Sequence, residues 1–194
     1  MSKLLGKAAT IQIVDQRKGG WGHISFDHLV QSKKAATTPV APVILKALEK
    51  DLTVDATHLI VPVANKGERL LMGIYEGDRL VQNFTVALPK GNAPYWLAAY
   101  PLKRFDLAGK RIQIAPVERK QLPATYTRAF DLIQVGTTDD VHAADDYALP
   151  YRDQFHVSAR RGWTNDPNGM VYHDGKYHLY YQHNPFGIQW GNMH

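Results

Sequence analysis

Between residues 51 and 136 the chain returns repeatedly to short runs of β-branched and aromatic residues broken by turn chemistry. His58-Leu-Ile-Val-Pro-Val63, Leu70-Leu-Met-Gly-Ile-Tyr75, Leu80-Val-Gln-Asn-Phe-Thr-Val86 and Arg111-Ile-Gln-Ile114 are the clearest of these runs. Asn65-Lys-Gly67, Glu76-Gly-Asp78 and Pro89-Lys-Gly-Asn92 lie between them. Strands this short, spaced by turns, predict an antiparallel sandwich rather than a helical or α/β fold. An all-β protein is therefore the expectation.

The rest of the chain divides by composition. Residues 1–32 contain Ala9-Thr-Ile-Gln-Ile-Val-Asp15, in which Ile11 and Ile13 alternate with polar neighbours as a half-buried strand requires. Residues 33–50 turn to Lys, Ala, Thr and Pro, with Pro39 and Pro42, and read as a linker. Ile44, Leu45, Leu48 and Leu52 carry a helical period, which predicts a short helix between Val43 and Leu52. After the β-rich zone 51–136, residues 137–154 are rich in Asp, Thr and Ala and read as a second linker. A distinct segment, 155–194, follows.

Bulk properties exclude several classes. Hydrophobic content of 44% and charged content of 21% describe an ordinary folded chain. No apolar run approaches the roughly 20 residues that span a bilayer. Met1-Ser-Lys-Leu-Leu-Gly-Lys7 turns polar too soon for a secretory signal. The absence of cysteine rules out a disulfide scaffold and a thiolate zinc site. The net charge of +5 arises from scattered residues, with only short pairs such as Lys33-Lys34 and Arg160-Arg161. Without a basic helix or an aromatic-interleaved stripe, no nucleic-acid partner is expected.

The C-terminal segment holds the chemistry. Alone, Asn165-Asp-Pro-Asn-Gly169 is an ordinary β-turn sequence, with Pro167 suited to the second position and Asn168-Gly169 to those after it. Pro167 also biases Asp166 toward extended backbone, which predicts a carboxylate at a strand end. Met170-Val-Tyr-His173 and Lys176 to Gln182 flank Asp174-Gly175, a preferred two-residue hairpin turn. Strand alternation puts Gln182 on one face with His178 and Tyr180, opposite Tyr177, Leu179 and Tyr181. Five of the nine histidines (His156, His173, His178, His183, His194) lie here. No His-x-x-x-His helix or carboxylate cluster accompanies them, so strand residues beside a polar funnel are expected rather than a metal site.

Taken together, Phe155-His-Val-Ser-Ala-Arg-Arg-Gly-Trp163-Thr-Asn-Asp166-Pro-Asn-Gly169, Tyr180-Tyr-Gln182-His-Asn-Pro185 and Trp190-Gly-Asn-Met-His194 resemble one known domain opening. It is that of the catalytic domain of glycoside hydrolase family 32, the invertase, levanase and inulinase group. The resemblance implies that residues 155–194 begin a five-bladed β-propeller, so the chain is expected to be a fragment ending in its first blade. It implies Asp166 as the nucleophile of a retaining β-fructosidase, with Asn165, Gln182, Trp190 and Trp163 as substrate-binding residues. A nucleophile must be ionised, which calls for hydrogen-bond donors or positive charge beside Asp166. The acid/base glutamate is expected beyond His194, so this chain alone should be inactive. The implied partner is a carbohydrate, a fructan such as levan or inulin, or sucrose. No cofactor is implied, and a secreted or periplasmic location is. Val157 and Thr164 depart from the family pattern in detail.

The N-terminal zones carry weaker resemblances. Gly19-Gly-Trp-Gly-His-Ile24, within residues 1–32, is similar to the closing segment of a galactose-binding-like jelly roll. Such a tail would use Trp21 and His23 either on a sugar-contacting surface or, preferably, to close the sandwich edge. Residues 51–136 resemble the small β module that precedes the propeller in the same proteins. Pro94-Tyr-Trp96 and Tyr100 there allow a sugar-stacking platform or core packing, with packing preferred. Two rival functions remain: an inverting arabinan-type propeller hydrolase, and a non-catalytic carbohydrate-binding fragment.

Overall fold

The alternating runs become strands that pair antiparallel, each burying the side chains of one face against a facing sheet. The computed structural model describes residues 43–142 and 146–192, all within the unit Pro42–His194. In chain order the strands are β1 (Leu45–Lys46), β2 (Lys50–Thr53), β3 (His58–Val63), β4 (Arg69–Glu76), β5 (Arg79–Ala87) and β6 (Trp96–Pro101). Then come β7 (Arg111–Pro116), β8 (Leu122–Pro123), the short helix α1 (Thr127–Asp131), β9 (Gln134–Gly136), β10 (Trp163–His173) and β11 (Lys176–Asn184). Strand is thus the dominant regular structure among the described residues. The jelly-roll tail at 1–32, the strand expected at 9–15, Trp21, His23 and His194 lie outside them.

One sheet has the order β2-β7-β4-β5 and another the order β6-β3-β9. Leu59, Val61 and Val63 from β3, Met72 and Ile74 from β4, and Ile112 and Ile114 from β7 join one continuous core cluster. Burying each such side chain stabilises the fold by about 1.5–3 kcal/mol. Strand β6 shows the expected alternation, with Trp96, Ala98 and Tyr100 buried and their neighbours half-buried. Both Trp96 and Tyr100 are therefore core residues, while Tyr95 points outward at 64% exposure. A proline sits inside β3 without cost to the ladder. Pro62 pairs with Leu97 of β6, but β9 covers β3 only from His58 to Ile60, so no second strand needs its missing N–H.

The helix expected between Val43 and Leu52 does not form. Strands β1 and β2 occupy that stretch, with β1 paired to β8 and β2 to β7. The apolar positions Leu48 and Leu52 also fit a period of two, and the free edge of β7 offered hydrogen bonds that a solitary helix of this length could not match. Ile44 and Leu45, which the helical period counted as one face, are 66% and 54% exposed.

Strands β10 and β11 make a separate two-stranded ladder, closed by Asp174 and Gly175 with φ of 48° and 79°. Two successive positive φ values define the type I′ turn that the Asp-Gly pair predicts. Much of this hairpin is exposed, including Met170 (66%), Tyr172 (62%) and Tyr177 (73%). Among the described residues no helix is long and apolar enough to cross a membrane.

Candidate active site

Asp166 lies within β10 rather than at a strand end. The ladder runs from Trp163↔Asn184 and Thr164↔His183 to Pro167↔Tyr181, then to Gly169↔Tyr180, with a register shift on each side of Pro167. Proline cannot donate to a ladder, so the strand bulges there and turns the Asp166 carboxyl out to solvent. Beside it, the Asn165 amide Nδ2 donates to Gln182 Oε1 at 2.7 Å across the hairpin. Three of the residues assigned by resemblance thus share one short stretch of ladder, and two of them are bonded. Trp163 opens β10, half-buried, opposite Asn184. Trp190 stands apart at 67% exposure, and among the described residues no hydrogen bond or ring contact joins it to the other four.

The bonded amide pair has a chemical consequence. An amide side chain carries two donors and an acceptor with two lone pairs. The contact fixes one Asn165 donor and one Gln182 lone pair, which leaves the Gln182 Nε2 donors and the Asn165 carbonyl to meet a hydroxyl-rich ligand. Around the hairpin, Tyr172 and Tyr177 pack across the strands at 5.0 Å and Tyr181 meets His183 edge-on at 6.4 Å. Among the described residues no three of His, Asp and Glu converge as a metal ion would require.

What holds the hairpin in place was not legible from the motif. Phe186, 2% exposed, enters the sandwich core, stacks on Phe84 at 4.6 Å and meets Tyr100 at 5.3 Å. The Trp96 indole donates to Pro185 O at 3.0 Å. Asn184 is fully buried and satisfied: its Oδ1 accepts from Phe186 N at 3.0 Å and Asn192 Nδ2 at 3.3 Å, and its Nδ2 donates to Gln189 O at 2.7 Å. Further along, Asn192 presents its side-chain amide to the backbone of Thr85 like a short added strand, with both bonds at 2.7 Å. The edge strand β5 is covered in this way. The Asn-Pro pair at 184–185 is a turn signal that sequence reading could have used.

A second anchor precedes the hairpin. Asp146, 5% exposed, receives Arg161 Nη2 at 2.5 Å and lies 3.5 Å from Arg160 Nε. The Arg152 guanidinium donates to the carbonyls of Asp146, Ala159 and Arg160. His183 Nε2 donates to Arg161 O at 2.7 Å, which links this network to the residue beside Gln182. Burial holds the His142 imidazole below its usual range, and the nearby Arg160 charge acts the same way. Asp146 lies in the stretch read as a linker, and no local pattern marks it. Asp146→Ala should leave two half-buried guanidinium groups unpaired and cost about 1–3 kcal/mol of stability. An unchanged urea midpoint would show that the network is ornamental.

The described strands and the aspartate-bearing hairpin anchored on a sandwich define an all-β class, and the comparisons add a family likeness for the C-terminal segment. Residues 156–194 match the family model described as the glycosyl hydrolases family 32 N-terminal domain. An extracellular exo-inulinase of Aspergillus niger is 56% identical over 50 residues, 26% of this chain and 9% of the relative. The levanase of Bacillus subtilis is 46% identical over 63 residues, 32% of this chain and 9% of the relative. A sucrose-6-phosphate hydrolase of Zymomonas mobilis is 55% identical over 40 residues, 21% of this chain and 8% of the relative. The chain therefore spans under a tenth of the length of these relatives. No solved structure matches it. Residues 156–194 are thus similar to part of a glycoside hydrolase family 32 N-terminal domain.

Proposed function

We propose that this chain belongs to a retaining β-fructosidase acting on fructans or sucrose, with Asp166 as its nucleophile. The observation that carries the reading is the exposed Asp166 carboxylate beside the bonded Asn165–Gln182 amides, within the residues 156–194 that match the family model. In this reading the Asp166 carboxylate attacks the anomeric carbon of a fructosyl unit as the glycosidic C–O bond breaks. A carboxylic acid protonates the departing oxygen, and water then hydrolyses the fructosyl ester with that same residue acting as base. Retention requires the two carboxyls to stand about 5–5.5 Å apart, against about 6.5–9.5 Å for inversion. The acid/base is a residue outside these 194, so the chain by itself releases no fructose. Residues 155–194 would form the first propeller blade, and 51–136 a separate module before it. Secretion or a periplasmic site fits the extracellular relative.

The first-formed anomer of fructose, followed by NMR on the enzyme carrying this segment, tests the mechanism. The β-anomer is expected, whereas the inverted product would make Asp166 a base of the arabinan-type reaction. Within the site, Gln182→Ala should lower kcat/KM by an amount equivalent to about 0.5–1.5 kcal/mol, or up to about 3 if Asn165 is left unpaired. Unaltered kcat/KM would remove Gln182 from substrate binding.

A further inference from the structure

A cleft of about 290 Å³ opens at the seam between the sandwich and the family 32 segment. Its walls include Asn65 and Lys66 from the β3–β4 connection, Arg69 at the start of β4, Trp96 from β6, and Ile188 and Gln189 from the loop after β11. That volume sits near the lower end of the roughly 300–1,000 Å³ typical of small-molecule sites, a size for a single sugar unit. The lining combines hydrogen-bond donors with an apolar wall and includes no carboxylate. Lys66 and Arg69 form no ion pair among the described residues.

Two features tie the sandwich side of the cleft to the segment that follows β11. A β-carbon placed on Gly191 would lie 2.6 Å from Arg69 Nη2, so a sandwich guanidinium fills the space beside the residue that follows Trp190. The far wall is also held rigid, because the Gln189 carbonyl accepts from the buried Asn184 amide. The two elements are thus fixed against each other where the cleft forms.

We propose that this cleft is an outer sugar subsite, built by the sandwich, that holds a fructan chain remote from the fructosyl unit being cleaved. The inference rests on the hydrolase reading above for the identity of the sugar. Guanidinium, ammonium and amide donors suit the hydroxyls of an uncharged polysaccharide, and the exposed Ile188 side chain suits the apolar face of a sugar ring.

Affinity electrophoresis of the intact 194-residue chain through gels containing levan or inulin tests it. The wild-type chain should be slowed, and the Lys66→Ala/Arg69→Ala double variant should show an apparent Kd about tenfold weaker. Gln189→Ala, which keeps the backbone carbonyl used by Asn184, should weaken retardation in a chain whose melting temperature is unchanged. Retardation of both variants equal to wild type would overturn the proposal, as would a wild-type chain that is not slowed. So would retardation relieved by inorganic phosphate and not by soluble fructo-oligosaccharides, since that marks an anion site. Turnover by the Asp166 variant reports on the hydrolase reading separately, because binding in the cleft needs no bond cleavage.

Discussion

Replacing Asp166 with Asn is expected to abolish fructose release by the enzyme that carries this segment while leaving its fold unchanged. The amide is nearly isosteric with the carboxylate but cannot form the glycosyl ester. The Asp166 side chain is exposed, so the change disturbs no packing. Loss of a covalent nucleophile should lower kcat by several powers of ten, about 5 kcal/mol or more of barrier. The check is steady-state turnover of sucrose and levan by purified variant and wild type, with matched circular dichroism and melting curves. If the variant kept as much as about a tenth of wild-type kcat, near 1.4 kcal/mol, Asp166 would not be the nucleophile.

The second large effect is on stability and comes from outside the motif's chemistry. Phe186→Ala should cost about 3–5 kcal/mol, because it empties a fully packed aromatic site facing Phe84 and Tyr100. The loss should be unevenly felt. A hairpin of two strands is at best marginally stable in water, so β10–β11 depends on this anchor, the Trp96–Pro185 bond and the Asn192–Thr85 pair. Limited proteolysis of the Phe186→Ala chain should cut within 163–192 well before it cuts β3 to β7, and the guanidinium midpoint should fall. Phe186→Leu should recover much of the midpoint by refilling the volume. Equal protease resistance of Phe186→Ala and wild type would mean that the hairpin is held by other contacts.

Legibility followed the range of the forces involved. Strands β3, β4, β5 and β7 could be read to within a residue or two because period-two patterning and Gly-containing turns are local properties. The β10–β11 hairpin was readable for the same reason, from Asp174-Gly175. Strand β6 was harder, since Trp96 and Tyr100 carry equal signals for a sugar platform and for a core face. The burial of both decided for the core. The helix expected near Leu48 failed because its positions satisfied two periods at once, and a partner edge some sixty residues away selected the strand.

The candidate site divides in the same manner. Local residue order alone carried the family resemblance of the 156–194 segment and the hairpin in which Asp166 lies. It could not determine that Asn165 bonds Gln182, because that contact depends on a register shifted at Pro167. Nor could it determine that Asn184 and Phe186 serve as anchors, or that Arg69 reaches Gly191. The Phe186 and Arg69 contacts join residues far apart in the chain, and the Asn184 bonds close the loop that carries Phe186 to the core. Their energy exists only once the sandwich has formed and presents Phe84, Trp96 and Thr85 to receive the hairpin. Tertiary packing therefore decided where the aspartate is held and which groups of the sandwich stand beside its segment.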